Sequence, residues 1–400
     1  MKKTFKLSIL VASIISASSF SAIAQESTND GVNSTVDLNF RYRVETVDQS
    51  GIAENALAST LRTRATIKTH WSDNFDSVIE FDEVTEVGAN DFNSGMGTSS
   101  ANRGQYPIVA DPKGSDLNQA FVRFTTGDSK IALGRQRILI GSQRFVGGVG
   151  WRQNEQTYDS LTYKSKISDD FNLTYAYVYN VNRIFGTTVG AGDHQHNTHL
   201  LNADYKIGNG KVSAYYFSID NEDAAGLSNN TFGVSYAGKV NDFSYTVEYA
   251  SQSDNADNAN DYSASYYLLD GKYNIGNGSI GIGQEVLGGD TDGGQAFTTS
   301  LATLHKFQGW ADVFLGTPLA GIEDTYLNAS YKVSGFKFKA VYHDFSTDEG
   351  SDSLGTEFDL AIAKKFTKKL GGLLKLASFN SDNAAYASRD KVWFMLTYKL

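Results

Sequence analysis

The sequence repeats a segment of about ten residues in which apolar and polar side chains alternate, and a turn follows each segment. The last ten residues carry apolar side chains at every second position: Val392, Phe394, Leu396, Tyr398 and Leu400. The positions between them are Lys391, Trp393, Met395, Thr397 and Lys399. Successive side chains of an extended strand point to opposite faces, so each segment predicts a strand with one apolar face. Such strands, repeated along a chain, are typical of a transmembrane β-barrel with lipid outside and a wet lumen inside.

Aromatic side chains follow the same alternation in other segments. Six of them are expected to face lipid: Phe40, Tyr42, Tyr175, Tyr177, Tyr245 and Phe394. The 22 Tyr and 24 Phe residues suit the aromatic girdles of a barrel, and the presence of only 3 Pro suits long hydrogen-bonded ladders.

The connections between the segments are alternately short and long. Tight turns rich in Gly, Asn and Asp, which favour β-hairpins, occur at 126–128, 207–210, 240–242, 275–278 and 334–335. Longer stretches separate them, at 46–56, 87–116, 141–155, 183–196, 220–229, 253–261, 288–322, 347–354 and 380–390. The pattern predicts an all-β antiparallel barrel of eighteen strands with eight short turns, nine long loops and both chain ends on the short-turn side. Outer-membrane barrels have this arrangement, whereas a secreted β-solenoid or a pair of β-sandwiches does not account for it.

The first residues predict export. A basic start is followed by a short apolar run and by the small residues Ala22 and Ala24, which are typical of a cleavage site. We expect a signal peptide at 1–24 and a barrel domain at 25–400. The alternative, an uncleaved membrane anchor, fits less well because the run is short and rich in Ser. The chain has no cysteine, which excludes disulfides, lipid attachment at an N-terminal Cys and Cys-ligated metals.

Composition excludes other classes of protein. After the signal segment no window of eighteen apolar residues exists, so membrane-spanning helices are not expected. Without the three signal lysines the chain keeps 32 basic residues against 45 acidic ones, a net charge of about −13. Nucleic acid is therefore not an expected partner, since its phosphates need a basic footprint.

Charged residues at the polar positions of the early strands are candidates for the lining of a pore. They are Arg41, Arg43, Arg62, Arg64, Lys68, Glu80, Asp82 and Arg123. Charge facing lipid is costly, so these side chains are expected to point inward. Two interpretations stay open: the basic group forms a positive wall that selects anions, or the charges neutralise one another and fill the lumen.

Catalysis finds little support in the sequence. A His-based hydrolase needs a nucleophile beside its histidine, and no Gly-x-Ser-x-Gly elbow is present. His194, His196 and His199 are assigned to a loop and its border, either as a surface metal cluster or as solvated residues, and the second fits better. We predict no catalytic residue, no metal site and no cofactor.

One strand leaves its register open. Ile131 and Leu133 point outward, but Arg135 and Arg137 then share their parity. Either a bulge at Gly134 changes the register, or the two arginines lie beyond the lipid band.

Two groups of residues resemble a known family. One is 134–137 with its continuation at 143–159, and the other is 301–312 followed by 321–324, supported by 61–64 and 106–111. Together they resemble the alginate-export porins of Gram-negative bacteria over essentially the whole mature chain. The resemblance implies a monomeric eighteen-stranded barrel whose arginine-lined pore passes an anionic polysaccharide. The chain ends in Leu400, where many such barrels end in Phe, and it is shorter than alginate exporters, so its loops are reduced.

The expected function is that of an outer-membrane porin for passive diffusion of hydrophilic solutes, with anionic sugars or oligosaccharides such as uronates as candidates. The loops at 87–116 and 288–322 are expected to fold inward. Candidate pore-loop residues are Arg144, Trp151, Arg152, His305, Lys306 and Trp310. A plugged structural or adhesive barrel is the alternative, and an outer-membrane hydrolase is a weaker one. Expected partners are outer-membrane lipid, lipopolysaccharide and the solute.

Overall fold

Eighteen antiparallel strands form one closed sheet in the computed structural model, which describes residues 31–95 and 103–400. They are β1 (Asn33–Gln49), β2 (Ala56–Ser72), β3 (Phe75–Asp91), β4 (Gly114–Thr126), β5 (Ser129–Gln136), β6 (Thr157–Lys166), β7 (Phe171–Asn182), β8 (Asp193–Ile207), β9 (Gly210–Ile219), β10 (Asn229–Val240), β11 (Phe243–Asp254), β12 (Ser263–Ile275), β13 (Gly278–Gly288), β14 (Gly321–Val333), β15 (Phe336–Ser346), β16 (Ser353–Lys365), β17 (Leu370–Ser381) and β18 (Arg389–Lys399). The predicted signal peptide lies outside the described residues.

Each strand pairs with its neighbour in sequence, and β18 pairs with β1 to close the barrel. At this seam Tyr42 of β1 lies opposite Leu396 of β18, and on its other side it lies opposite Leu61 of β2. Closure leaves no unpaired sheet edge, which is the condition for a sheet to cross a membrane. The predicted class and strand number are confirmed.

The predicted side-chain alternation is present along the strands. In β18, Trp393 is 0% exposed and faces the lumen, whereas Phe394 is 44% exposed and faces outward. On the outer face, the Tyr175 hydroxyl lies 2.8 Å from Nδ1 of His199 on the neighbouring strand. Apolar and aromatic side chains thus cover the outside, and charged side chains such as Arg62 and Arg64 point inward.

The five short turns named from the sequence are confirmed. Gly208 and Gly276 have φ angles of 55° and 54°, in the left-handed region that glycine adopts at little cost. The long loops are mostly shorter than predicted because the strands extend into them: β3 continues to Asp91 and β8 begins at Asp193.

Two sequence interpretations are corrected. His194 and His196 lie within β8 with buried side chains, while His199 points outward, so the three do not share a loop or a face. The described residues contain no group of three or more side chains placed to hold a metal ion. Of the two alternatives left open for β5, the bulge at Gly134 is wrong, because β5 keeps its register with β4 and β6 through that residue.

Helical structure in the described residues is limited to three turns of three residues each, at Gly190–Gly192, Ala225–Leu227 and Leu304–Lys306. None of them is long and apolar enough to cross a membrane.

Candidate functional site

Two long loops fold into the barrel and meet inside it. We call them the β5–β6 loop (137–156) and the β13–β14 loop (289–320), and together the plug. The N–H of Gly147 donates to the carbonyl of Leu301 at 2.8 Å, and the N–H of Thr303 donates to the carbonyl of Gln143 at 3.0 Å. The inward fold predicted for 288–322 is confirmed, and the partner of this segment is the β5–β6 loop.

Aromatic packing fixes the plug to one side of the wall. The ring of Phe145, in the β5–β6 loop, lies 5.5 Å from the ring of Tyr215 on β9 and 5.0 Å from that of Tyr266 on β12. Phe297, from the β13–β14 loop, lies 5.7 Å from Phe145. Burial of several aromatic rings stabilises a fixed position for both loops.

On the opposite side the arginines of β1 hold the β5–β6 loop. Arg41 donates to the backbone carbonyls of Gly150, Trp151 and Arg152 at 2.9–3.1 Å. Arg43 donates to Asp111 at 3.0 Å and also reaches the carbonyl of Trp151. The described part of the β3–β4 loop (92–113) thus contacts the plug through Asp111, whose other oxygen accepts the N–H of Gln153 at 2.8 Å.

The arginines of β2 are paired as well. Arg64 forms ion pairs with Asp82 on β3 and with Glu155 of the plug, the second at 2.8 Å. Arg62 donates to Asn39 at 2.8 Å. Burial alone would raise the pKa of Glu155, but Arg64 and Arg137 outweigh it and lower the pKa to about 2.

Glu80 belongs to the same network and accepts hydrogen bonds from Arg137, Thr66 and Asn118. Arg137 therefore points inward, whereas Arg135 pairs with Asp159 at 2.8 Å near the end of β5. Carboxylates and carbonyls of the plug and of β3 thus compensate the arginines of β1 and β2, and selection of anions by a positive wall there stays a prediction.

Lys68 and Arg123 lie apart from this network. Lys68 pairs with Asp37 at 2.8 Å, and both side chains are more than half exposed. Arg123 pairs with Asp76 at 2.8 Å beside the β2–β3 turn. Neither residue contacts the plug among the described hydrogen bonds and ion pairs.

The loop arginines cross-link the plug to the wall. Arg144 forms an ion pair with Glu285 on β13 at 2.8 Å. Arg152 forms ion pairs with Glu45 on β1 at 2.9 Å and with Asp312 of the β13–β14 loop at 3.0 Å. Lys391 on β18 completes this group, at 2.6 Å from Asp312 and 3.2 Å from Glu45. We call Glu45, Arg152, Asp312 and Lys391 the seam cluster, because β1 and β18 close the barrel there.

His305 lies buried beside the seam cluster. Its Nδ1 is 2.6 Å from Asp312 and its Nε2 is 2.6 Å from the ammonium of Lys375 on β17. Since an ammonium only donates, Nε2 accepts and Nδ1 carries the proton. Burial lowers the pKa of His305 to about 3, in keeping with a neutral ring. Burial would raise the pKa of Asp312, but His305 and Lys391 hold it well below its usual range.

Three tryptophans surround the Lys375 ammonium. It lies 3.8 Å from the ring centre of Trp310, 4.4 Å from that of Trp151 and 5.3 Å from that of Trp393. Trp151 also stacks on His305 at 4.6 Å. Attraction between the cation and the aromatic faces joins both loops to the wall. Of the six candidate pore-loop residues, five are thus buried or half-buried in contacts of the plug, and Lys306 is more exposed, donating to the carbonyl of Ser142 at 2.8 Å.

The profile of the Alginate export family matches residues 32–303. The chain belongs to the alginate export family. None of the curated proteins matches it significantly in sequence.

Solved structures resemble this member of the alginate export family in fold. Acinetobacter baumannii OccAB2 is 16% identical, with a TM-score of 0.69 over 92% of this chain and 98% of that one. OccAB3 of the same organism is 13% identical, with a TM-score of 0.71 over 92% and 99%. The outer membrane protein OpdK of Pseudomonas aeruginosa is 12% identical, with a TM-score of 0.68 over 92% and 98%, and it was also solved with vanillate. The chain therefore has the fold of outer-membrane channels.

In this alginate export family barrel, a cavity of about 580 Å³ lies between the plug and the wall of β12–β15. Aromatic residues of its lining include Phe307, Trp310 and Tyr326. Lys272, Lys306 and Lys339 also line it, and none of the described carboxylates forms an ion pair with them. The charge open to a solute in the cavity is therefore partly lysine charge.

Sequence reasoning did not select several residues that hold the plug. Lys375, Lys391, Glu357 and Asp359 are all buried and inward-facing. Their alternation with outward apolar residues was a usable signal, since Glu357 and Asp359 flank the outward Phe358. What the alternation lacked was any indication of which strands the plug would contact.

Proposed function

We propose that the protein is an outer-membrane porin for passive diffusion of hydrophilic solutes, and that the solutes pass along the cavity beside β12–β15. The observation that carries the proposal is the lining of this cavity, polar and charged within a closed barrel whose outer face is apolar. A wide closed barrel leaves an aqueous passage wherever loops do not fill it. We assign no enzymatic activity.

The three cavity lysines favour anionic solutes. Lys272 and Lys339 face the cavity from two wall strands, and Lys306 faces it from the plug. The lining also contains three carboxylates: Asp270 accepts the hydroxyl of Tyr326 at 2.9 Å, Glu285 pairs with Arg144, and Asp324 pairs with His343. A cavity with more free cations than free carboxylates attracts anions. Sugars that carry a carboxylate, such as uronates, fit both the lysines and the aromatic rings, and we propose them as the solute class.

A plugged barrel with a structural or adhesive role is the second candidate. It is supported by the ion pairs and aromatic contacts that join the plug to β1, β9, β12 and β18. In that case the purified protein carries no ion current.

Conductance in a planar lipid bilayer tests the proposal. The wild-type protein is expected to conduct ions, and its reversal potential in a salt gradient should show a preference for anions. Lys272→Gln combined with Lys339→Gln should shift the reversal potential towards cations and slow a uronate oligomer more than a neutral sugar of similar size. Lys368→Gln, in the exposed β16–β17 turn, is the matched control and should behave as the wild type. Absence of current refutes the porin, and an unchanged double variant refutes the solute class.

A further inference from the structure

Two carboxyl groups on β16 face the plug side by side. Glu357 and Asp359 have the same parity on β16, which makes them neighbours on its inner face, and they are 1% and 0% exposed. Nε2 of His343 forms an ion pair with Asp359 at 3.7 Å, while its Nδ1 lies 2.9 Å from Asp324. Glu357 takes part in none of the ion pairs of the described residues. The pair is therefore buried, and the ion-pair partner of Asp359, His343, is shared with Asp324.

Glu357 holds the tip of the β13–β14 loop. One of its carboxylate oxygens accepts the N–H of Ala311 at 2.7 Å and also the N–H of Trp310. The loop is shaped for this contact: Gly309 has a φ of 78°, and a side chain there would collide with the Glu357 carboxylate. Two backbone donors that converge on one oxygen are best satisfied by an ionised carboxylate.

The other oxygens of the pair lack donors. Oε2 of Glu357 and both carboxyl oxygens of Asp359 are buried and receive no hydrogen bond of good geometry within the described parts of the chain. Two adjacent buried carboxylates cannot both be ionised without a large cost, whereas one proton between them satisfies both.

Neighbouring strands and the plug supply the charges around the pair. They are Asp324 on β14, Lys339 and His343 on β15, Lys375 on β17, Arg389 on β18, and His305 and Asp312 of the β13–β14 loop. Most of these groups have other partners: His343 lies 2.9 Å from Asp324, and Lys375 donates to His305. These groups therefore do not bridge Glu357 and Asp359, and a single proton between the two carboxyl groups is what joins them.

We infer that Glu357 and Asp359 share one proton, carried by Asp359, and form a proton-operated latch that holds the β13–β14 loop inside the barrel. With one proton, Asp359 donates to Oε2 of Glu357, and Glu357 keeps its charge for the two backbone donors. A second proton removes that charge and weakens both hydrogen bonds to the loop. Loss of the only proton places two negative charges side by side, and their repulsion moves Glu357 away from the loop.

If the latch operates, the ion current should depend on pH with two rising parts, an acid limb at low pH and an alkaline limb at high pH. This test rests on the proposed function, because release of the loop is measured as current through the pore. In a planar bilayer the wild-type current should be lowest at intermediate pH and rise towards both acid and alkali. Asp359→Asn should lose the alkaline limb and keep the acid limb, since the amide still donates to Glu357. Glu357→Gln has no charge at this position at any pH, so it should lose both limbs and carry, at intermediate pH, a current as high as that of the wild type in acid. Glu323→Gln, a carboxylate on β14 that bonds Gln284 on the other face of the wall, should keep both limbs.

An infrared measurement tests the proton directly and needs no transport. At neutral pH the wild type should show the carbonyl stretch of a buried protonated carboxylic acid, lost in Asp359→Asn and retained in Glu323→Gln. Absence of that band in the wild type, or an alkaline limb that persists in Asp359→Asn, overturns the latch. A protein that shows the band but conducts at no pH would instead overturn the proposed function, and with it the gating role of the pair.

Discussion

On the β1–β4 side of the barrel the arginines lie behind the plug and touch carboxylates or carbonyls, whereas on the β12–β15 side the lysines face a cavity. Arg64 is 7% exposed and meets Asp82 and Glu155, while Lys272 and Lys339 are exposed and form no ion pair with any described carboxylate. The difference follows from the solvation of the two sets of cations. A buried cation needs a partner because desolvation is expensive, and a solvated one does not. Positive charge in a barrel lumen is therefore a weak guide to a solute pathway unless its partners are known.

The largest effect, on the free energy of unfolding, should come from breaking a buried ion pair. Arg64→Ala leaves Asp82 buried without its cation, and we expect a loss of about 3–5 kcal/mol in the free energy of unfolding. Urea unfolding of the protein refolded in lipid vesicles measures it. Lys68→Ala is the control, because it breaks an exposed pair with Asp37 worth about 1 kcal/mol or less. Equal losses in the two variants would remove the distinction between the two sides.

A smaller, pH-dependent effect is expected at Glu155. Its pKa is lowered from 4.5 to about 2, so its ionised form stabilises the folded protein above about pH 4.5, and this contribution is lost as the pH falls towards 2. Glu155→Gln should therefore destabilise the protein at neutral pH, by less than Arg64→Ala does, and should have little effect near pH 2. Urea unfolding of both proteins at the two pH values checks this, and a constant difference between them would contradict it.

The smallest effect should be on ion selectivity from the arginine side. Arg62→Ala with Arg64→Ala should shift the reversal potential towards cations, but less than Lys272→Gln with Lys339→Gln, because the arginines lie behind the plug. The same ranking should hold for the passage of a uronate oligomer relative to a neutral sugar. If the arginine variant shifts the potential more, the solute pathway lies along β1 and β2 and the comparison is reversed.

Local features of the sequence were enough to predict the strands and short turns that form the wall of the barrel. Alternation identified the inward face, so Arg62 and Phe394 were assigned correctly, and Gly–Asn turns such as that at Gly208 fixed where strands end. These signals depend on residues within a few positions of one another. For the same reason they describe strands and turns better than loops.

The interior could not be predicted in the same way. Arg43 meets Asp111 and Arg152 meets Asp312 across 68 and 160 positions of the chain. Alternation says that a side chain points inward but not what it meets there. His305 and Trp310 were candidates because they belong to a long loop expected to fold inward, whereas their partner Lys375 resembled any other inward lysine.

The seam cluster has a consequence for the order of assembly. Glu45 belongs to the first strand and Lys391 to the last, and both must be in place before Arg152 and Asp312 have all their partners. A nascent barrel that has inserted seventeen strands can thus form most of its hydrogen bonds while both inward loops still lack their final attachment. Joining the two ends of the chain and fixing the loops is then one event, so the passage acquires its final width only when the last strand docks.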